Sequence, residues 1–374
     1  MNDTASAALL RRRARSKIRN GWPSLIVAAL VIGAAVYSFS PRPPPVFAPT
    51  QVYPDRVLVN GLARQGERLI AVGEQGQILI ADAVDGPWRS ARIESQRGLT
   101  LAQVSFVDEQ TALAVGHDGW ILRSADRGDS WQEVAFGGAG TDPLLGIDGP
   151  YDGRLFAYGA FGLYTISDDL GQTWQARELV VDEPVAADPA QAAPAADPYA
   201  DPFASFDAGS IGGSGHLNDM TQAADDSLVL VGERGTLLRS SDNGESWKRL
   251  PEIYSGSFFG VLSLPSKALL AFGMRGHVYR SEDFGTSWQE SRVPTTTSLF
   301  SGVVAAPQRV VLAGAGNAVL VSDDDGRSFA LATESARYSI ADLLPLDRGV
   351  WLTASDGGIE VKKSGRASAA GDAS

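Results

Sequence analysis

The chain has 374 residues, 44% of them hydrophobic, a net charge of −12 and no cysteine. The absence of cysteine excludes disulfides, thiolate metal sites and cysteine nucleophiles. The first forty residues carry +5, which leaves −17 on the remainder. An acidic body argues against nucleic-acid binding, which rests on phosphate neutralisation by Lys and Arg.

In chain order, residues 1–20 come first, with Arg11, Arg12, Arg13, Arg15, Lys17 and Arg19 against Asp3. Residues 21–39 then carry no charge. As a helix they reach about 28 Å at ~1.5 Å per residue, close to a ~30 Å hydrocarbon core. Trp22 and Tyr37 lie near the two ends of this run, where amphipathic aromatics prefer the interface. The expectation is a basic cytoplasmic tail (1–20), one transmembrane anchor (21–39) in the inner membrane, and a body in the periplasm. A cleaved signal peptide is the competing reading. The stretch GAAVYSFS offers a poor small-x-small cleavage site, which favours a retained anchor. PRPPPVFAP follows, and residues 40–50 read as an extended, semi-rigid spacer.

The body, residues 51–363, repeats itself. An apolar strand, a G-x-x-G hairpin and a second strand precede an eight-residue unit, as in TALAVGHDGWILRSADRGDSWQEV and SLVLVGERGTLLRSSDNGESWKRL. The first hairpin glycines are Gly73, Gly116, Gly159, Gly232, Gly273 and Gly314, with Ser355 in a seventh place. All but one of the steps are 41–43 residues. The long step holds DEPVAADPAQAAPAADPYADPFASF, so an insertion at about 180–215 is expected to be a flexible excursion. Seven such units predict an all-β, seven-bladed β-propeller, four strands to a blade from A innermost to D outermost. The last unit shows no convincing D strand. A strand from near VFAPTQVY at the body's start is the candidate to complete it, and 364–374 read as a disordered tail.

The eight-residue unit occurs as SADRGDSW (124–131), SDDLGQTW (167–174), SSDNGESW (240–247), SEDFGTSW (281–288) and SDDDGRSF (322–329). It falls between strands C and D and matches the Asp box, or bacterial neuraminidase repeat. Asp126, Asp169, Asp242, Asp283 and Asp324 are expected to accept hydrogen bonds from turn N–H groups. Gly128, Gly171, Gly244, Gly285 and Gly326 supply unusual backbone angles. Trp131, Trp174, Trp247, Trp288 and Phe329 bury an aromatic beside each turn. Identity repeated at a structural period marks a fold staple, whereas a catalytic site needs different residues converging once.

The fused frame V-G-x-x-G…R-S-x-D-x-G-x-[ST]-W makes the body resemble the β-propeller family of photosystem II assembly and stability factors and their non-photosynthetic bacterial relatives. The resemblance implies a non-enzymatic scaffold that helps a membrane complex assemble or stay intact. It also implies a partner in the envelope, with a resistance-nodulation-division (RND-type) exporter as a candidate. The retained anchor and the acidic insertion depart from that pattern.

The G-x-x-G hairpins and the box turns are expected on opposite faces. The hairpin tips vary while their frame repeats, as a recognition face should. His117, Phe161, Arg234, Met274 and Arg275 are the candidate partner-binding residues, apolar or Arg anchors among them. Arg123, Arg239 and Arg280 precede three box serines; packing and pairing with acids competes with a shared arginine patch. Three histidines without a ligand spacing support no metal site, and no P-loop or Rossmann fingerprint is present, so no cofactor is expected. Asp323, Asp324 and Asp325 lack EF-hand spacing. An Asp-box glycoside hydrolase, sialidase-like, is the alternative; its retaining carboxylate pair would need ~5 Å spacing.

Overall fold

A computed structural model describes residues 22–39, 53–182, 215–333, 338–347 and 350–363. The chain divides into two units, Met1–Gln51 and Val52–Ser374. In the first, Trp22–Phe39 is one helix of 18 residues, about 27 Å long at ~1.5 Å per residue. By length and composition it could cross a membrane.

The second unit is a seven-bladed β-propeller built from seven separate sheets. The innermost strands are Val59–Gln65, Leu101–Phe106, Leu144–Tyr151, Leu217–Gln222, Phe258–Ser263, Leu299–Ala306 and Ile340–Asp347. Each packs on the next, and the last packs on the first. The second strands read as unbroken apolar runs, such as Arg68–Gly73 and Ala112–Gly116, and are buried along their whole length. That pattern follows from blades covering both faces of one another. The core lies between blades: Ile70 and Ile80 of blade one meet Leu101, Ala114 and Leu122 of blade two. The same contact closes the ring, with Leu69 and Leu79 against Leu352, Ala354 and Ile359.

The innermost strands carry a second ring of contacts. In every blade the pairing with the second strand slips at the third residue. Where that residue is polar, its side chain crosses to the next blade. Asp219 Oδ2 accepts the Val261 N–H at 2.8 Å, Asp342 Oδ2 accepts the Leu62 N–H at 2.8 Å, and Gln103 Oε1 accepts the Ile147 N–H. The blade that receives the bond has glycine in the same place: Gly260, Gly61 and Gly146. A Cβ on Gly260 would stand 2.2 Å from the Phe272 ring, and one on Gly146 would stand 2.3 Å from Tyr158. Polar and glycine blades thus alternate. Seven is odd, so the alternation fails once. There Ser301 Oγ donates to Asp342 Oδ1 at 2.8 Å.

The outer edges alternate too. On blade two, Arg92–Ile93 runs parallel to the fourth strand, with Ile93 opposite Trp131. On blade four, Val181–Asp182 does the same, with Val181 opposite Trp247. On blade six, Arg292 bridges in parallel to Ser328. Each of these straps is the tail of the preceding blade. Blades three and five have none among the described residues.

One expectation about boundaries changes, and another falls largely outside the described residues. The insertion does not begin at 180, because Val181–Asp182 is one of the straps; residues 183–214 lie outside the described residues. Blade seven shows three strands, Ile340–Asp347, Val350–Ser355 and Gly358–Lys363. Of the strand expected from VFAPTQVY, only Tyr53 is among the described residues. The residues after it, Pro54–Arg56, form a 3-10 turn. That turn sits on the blade-seven hairpin, where a Cβ on Gly358 would meet the Pro54 carbonyl at 2.3 Å. The basic tail, spacer and C-terminal tail also lie outside the described residues.

Candidate partner-binding face

The box turns share one hydrogen-bond set. Ser124 Oγ donates to Asp126 Oδ1 and accepts the Gly128 N–H, both at 2.8 Å. Asp126 Oδ1 accepts the Ser130 N–H at 2.8 Å, and Oδ2 accepts the Ser130 hydroxyl at 2.6 Å. Asp169, Asp242, Asp283 and Asp324 repeat this with Thr173, Ser246, Ser287 and Ser328. Gly128, Gly171, Gly244, Gly285 and Gly326 all have φ between +76° and +91°. Hydrogen bonds from Thr173 hold the Asp169 carboxyl down at about 2. In Asp126, Asp242, Asp283 and Asp324 burial pushes upward, but the combined hydrogen bonds outweigh it and each falls below its ordinary value. The aromatics divide. Trp131, Trp247 and Phe329 are buried, whereas Trp174 and Trp288 are half-buried. The straps account for this, since Ile93, Val181 and Val293 pack against the clusters holding the three buried rings.

The flanking arginines form no common patch. Arg123 Nε donates to the Leu170 carbonyl of the next blade's box. Arg280 is buried and bonds the carbonyl and carboxylate of Asp325, again in the next box. Arg239 pairs with Asp225 of its own blade. Asp323 pairs with Arg309 at 3.1 Å. With Asp324 in its turn and Asp325 on Arg280, the acidic run is taken up by the fold. No cluster fit to hold a metal occurs among the described residues.

The opposite face carries the hairpins, and their two glycines have different tasks. The first glycine is extended rather than left-handed. It is needed because a Cβ there would stand 2.0–2.3 Å from the carbonyl preceding the innermost strand, as at Gly73, Gly159 and Gly232. The positive φ falls on the last two residues of the turn, for example Gln75 (+56°) and Gly76 (+65°). The turn is therefore of type I′, which matches strand twist. Asp118, Phe161, Arg234 and Arg275 share this left-handed position, with φ from +51° to +56°. Blade six has Gly316 there, at +62°.

Arg234, Arg275 and His117 are exposed, and Phe161 is 64% exposed. Met274 departs from the expected set. As the first tip residue it turns inward and packs among Val231, Leu237 and Tyr254. The sequence reading did not select His216 and Glu233. The Phe161 and His216 rings meet edge to face at 5.0 Å. Glu233 accepts the His216 N–H at 3.0 Å and lies 3.4 Å from its Nδ1. Phe161, His216 and Glu233 thus form one polar-aromatic group at the boundary of blades three and four, with Arg234 next in sequence. The only signal for it was position, since His216 re-enters the ring directly after the insertion. On blade five, His277 bonds Glu290 at 2.8 Å and packs on Tyr254 at 4.3 Å.

Along the axis lie three half-buried acids, Asp148, Asp219 and Asp342. Tyr158 donates its hydroxyl to Asp148 Oδ2. Desolvation among the inner strands lifts the Asp148 carboxyl to about 6. Burial, then the charge of Asp148, pushes Asp219 well up, and burial raises Asp342. Burial likewise drives Tyr158 and Tyr151 upward.

Fold and faces define the chain as a seven-bladed propeller with a potential membrane-spanning helix. It is similar in structure to YCF48 bound to D1 peptide, at TM-score 0.61 and 16% identity over 86% of this chain and 99% of that one. It is also similar to YCF48 from Cyanidioschyzon merolae, at 0.61 and 14% over 84% and 97%. Virginiamycin B lyase from Staphylococcus aureus stands at 0.62 and 11% over 83% and 95%. At such identities the likeness is one of fold, and it spans both a peptide-bound propeller and an enzyme. No protein-family model matches the sequence, and no curated protein matches it.

Proposed function

We propose that this chain is a membrane-anchored propeller whose body, in the periplasm, binds a protein of an envelope membrane complex and helps that complex assemble or stay intact. An RND-type exporter is the candidate partner. The observation that carries the reading is the side chain kept at the left-handed tip position. Gly316 fits the same turn, so the turn itself needs no side chain there. Gln75, Asp118, Phe161, Arg234 and Arg275 accept roughly 1 kcal/mol of backbone cost each to keep one. Phe161, Arg234 and Arg275 are exposed there and differ from blade to blade, which supports recognition. A propeller of the same fold holding a D1 peptide supports it further. We propose that the box turns serve the fold alone. The axial acids are occupied structurally as well: Asp342 takes the Leu62 and Leu343 N–H groups and the Ser301 hydroxyl. This favours binding over glycoside hydrolysis.

The test is co-purification of envelope proteins with the full chain and with the Arg234→Glu, Arg275→Glu double variant. Charge reversal at two exposed tips should weaken capture without loss of folding. Equal recovery by both chains would reject the hairpin face. Turnover of a sialoside by the purified protein, lost on changing a single Glu or Tyr, would reject the scaffold. A C-terminal reporter protected from protease in spheroplasts would reject the periplasmic body.

A further inference from the structure

The inner-strand bonds that join neighbouring blades are chemically unequal. Between blades two and three the acceptor is the neutral amide of Gln103, which takes the Ile147 N–H. Between blades four and five it is the carboxyl of Asp219. Its Oδ2 takes the Val261 N–H of blade five at 2.8 Å, and its Oδ1 takes the Met220 N–H of its own strand at 2.9 Å. One residue earlier, Asn218 donates its amide to the Phe258 carbonyl at 2.7 Å. Two adjacent side chains thus fasten blade four to blade five at the axis, and only Asp219 titrates.

The strands packed on that of Asp219 are Leu144–Tyr151 and Arg154–Gly159 of blade three, Leu228–Gly232 of blade four and Phe258–Ser263 of blade five. Their ionisable side chains are Asp148, Tyr151, Arg154 and Tyr158. Arg154 is taken by Asp168 and Glu245, at 2.8 and 2.7 Å. Asp219 thus shares its surroundings with a second carboxyl and with no cation that lacks acidic partners. Burial and the charge of Asp148 raise it well above the ordinary carboxylate range, and Asp342 of blade seven pushes the same way. A group raised in the closed ring favours closure while protonated. That contribution is full below about pH 4 and is lost as pH rises through the raised value. The seam between blades three and four is braced at the rim, by the Val181–Asp182 strap and by Arg154 on the Asn243 carbonyl. Blade five has no strap among the described residues. An ionised Asp219 therefore gains hydration most readily by easing away from blade five, while Val231 and Leu237 stay packed with Phe258.

We propose that Asp219 is a pH-responsive clasp: protonated, it closes the axial end of the seam between blades four and five, and ionised beside Asp148 it lets that end loosen. Arg234 and Arg275 stand on the hairpin tips either side of this seam. The clasp therefore governs how firmly the two tips are held relative to each other. That consequence for binding rests on the hairpin-face reading; the clasp itself does not.

The test is native-state amide exchange of the full chain in detergent, with no partner present, at about pH 5 and about pH 7.5, each amide corrected for its intrinsic rate. The quantity read is the protection of Val261 divided by that of Ile147, because a change in global stability alters both amides alike. This ratio should rise about tenfold or more from the higher pH to the lower. Asp219→Asn keeps an acceptor oxygen without the charge and should hold the ratio level. Gln103→Glu places a carboxyl on the Ile147 N–H and should give that amide the same loss of protection at the higher pH. Four results would overturn the proposal: a wild-type ratio that stays constant, one that falls toward pH 5, an Asp219→Asn chain with the wild-type pH dependence, or a Gln103→Glu chain in which Ile147 stays insensitive. The wild-type ratio decides even where a variant fails to fold. With no partner present, failure of the hairpin-face reading leaves every one of these results unchanged.

Discussion

Replacing Asp148 by asparagine tests the electrostatics of the ring. The carboxyl is lifted from its ordinary 3.8 to about 6. At ~1.4 kcal/mol per pH unit, keeping it ionised costs about 3 kcal/mol. The sign follows from proton binding. A group whose value rises on folding holds its proton more tightly in the folded state. Its contribution is fully present below about pH 4 and is lost as pH rises through about 6. The box aspartates act in the opposite sense, because their values fall on folding. Their contribution is present above about pH 4 and is lost as pH drops toward about 2, the value of Asp169. The two sets place the stability maximum near pH 4–5, with a decline by pH 7.5 of about 3 kcal/mol from Asp148 and a further loss from Asp219 and Asp342. The substituted amide still offers an oxygen to the Tyr158 hydroxyl and carries no charge. The variant should therefore exceed the wild type by up to about 3 kcal/mol at pH 7.5 and match it near pH 4. Asp219→Asn should gain as well, and the double variant should gain less than the sum, since either change removes the mutual repulsion. Urea unfolding of the purified chain from pH 4 to pH 8 reads all four. A D148N chain no more stable than wild type at pH 7.5, or a wild type that gains stability between pH 4 and pH 6, would refute the reasoning.

Asp242→Ala should cost about 1–3 kcal/mol in thermal or urea unfolding, because the Ser240 hydroxyl and the Ser246 N–H and hydroxyl all lose their acceptor. Trp247→Ala should cost roughly 3–5 kcal/mol, and more than Trp174→Ala or Trp288→Ala, whose half-buried rings no strap covers among the described residues; equal losses at the three positions would count against the straps. Gly159→Ala should destabilise more than Gly153→Ala: its Cβ would press on the Pro143 carbonyl at 2.1 Å, whereas nothing lies within 4 Å at Gly153. Replacing residues 184–214 by a short Gly/Ser link should preserve folding, since closure entropy changes slowly with length. Extending the cut to Val181 should uncover Trp247 and lower the melting temperature.

The sequence made the blades legible because their pattern is local. An apolar run, a glycine pair and S-x-D-x-G-x-[ST]-W lie within about two dozen neighbouring residues, and the structure uses them within one blade. The hairpin frame was legible, but the role of each glycine was not. A residue's need for a missing Cβ depends on a carbonyl some sixteen positions away, as for Gly159 and Pro143. Met274 was read as an anchor by type and position. Whether a tip residue turns inward depends on the neighbouring blade, here Val231 and Leu237.

The features that escaped are those that join one blade to the next. Gln103, Asp219 and Asp342 look like scattered polar residues on inner strands until the ring brings each against a glycine blade. The straps at Arg92–Ile93 and Val181–Asp182 are two residues long, below what periodicity can detect. Both devices work in pairs of blades: a polar residue needs a neighbour with glycine, and a strap leaves the edge from which it departs uncovered. A ring of seven cannot be divided into pairs. The irregularity has to fall somewhere, and at the inner ring it falls between blades six and seven, where Ser301 meets Asp342. At the outer rim the pairing leaves blades one, three and five without a strap among the described residues. A propeller built only for stability gains nothing from open edges, because they invite strand addition. An odd ring with paired fastenings keeps them as a consequence of its geometry.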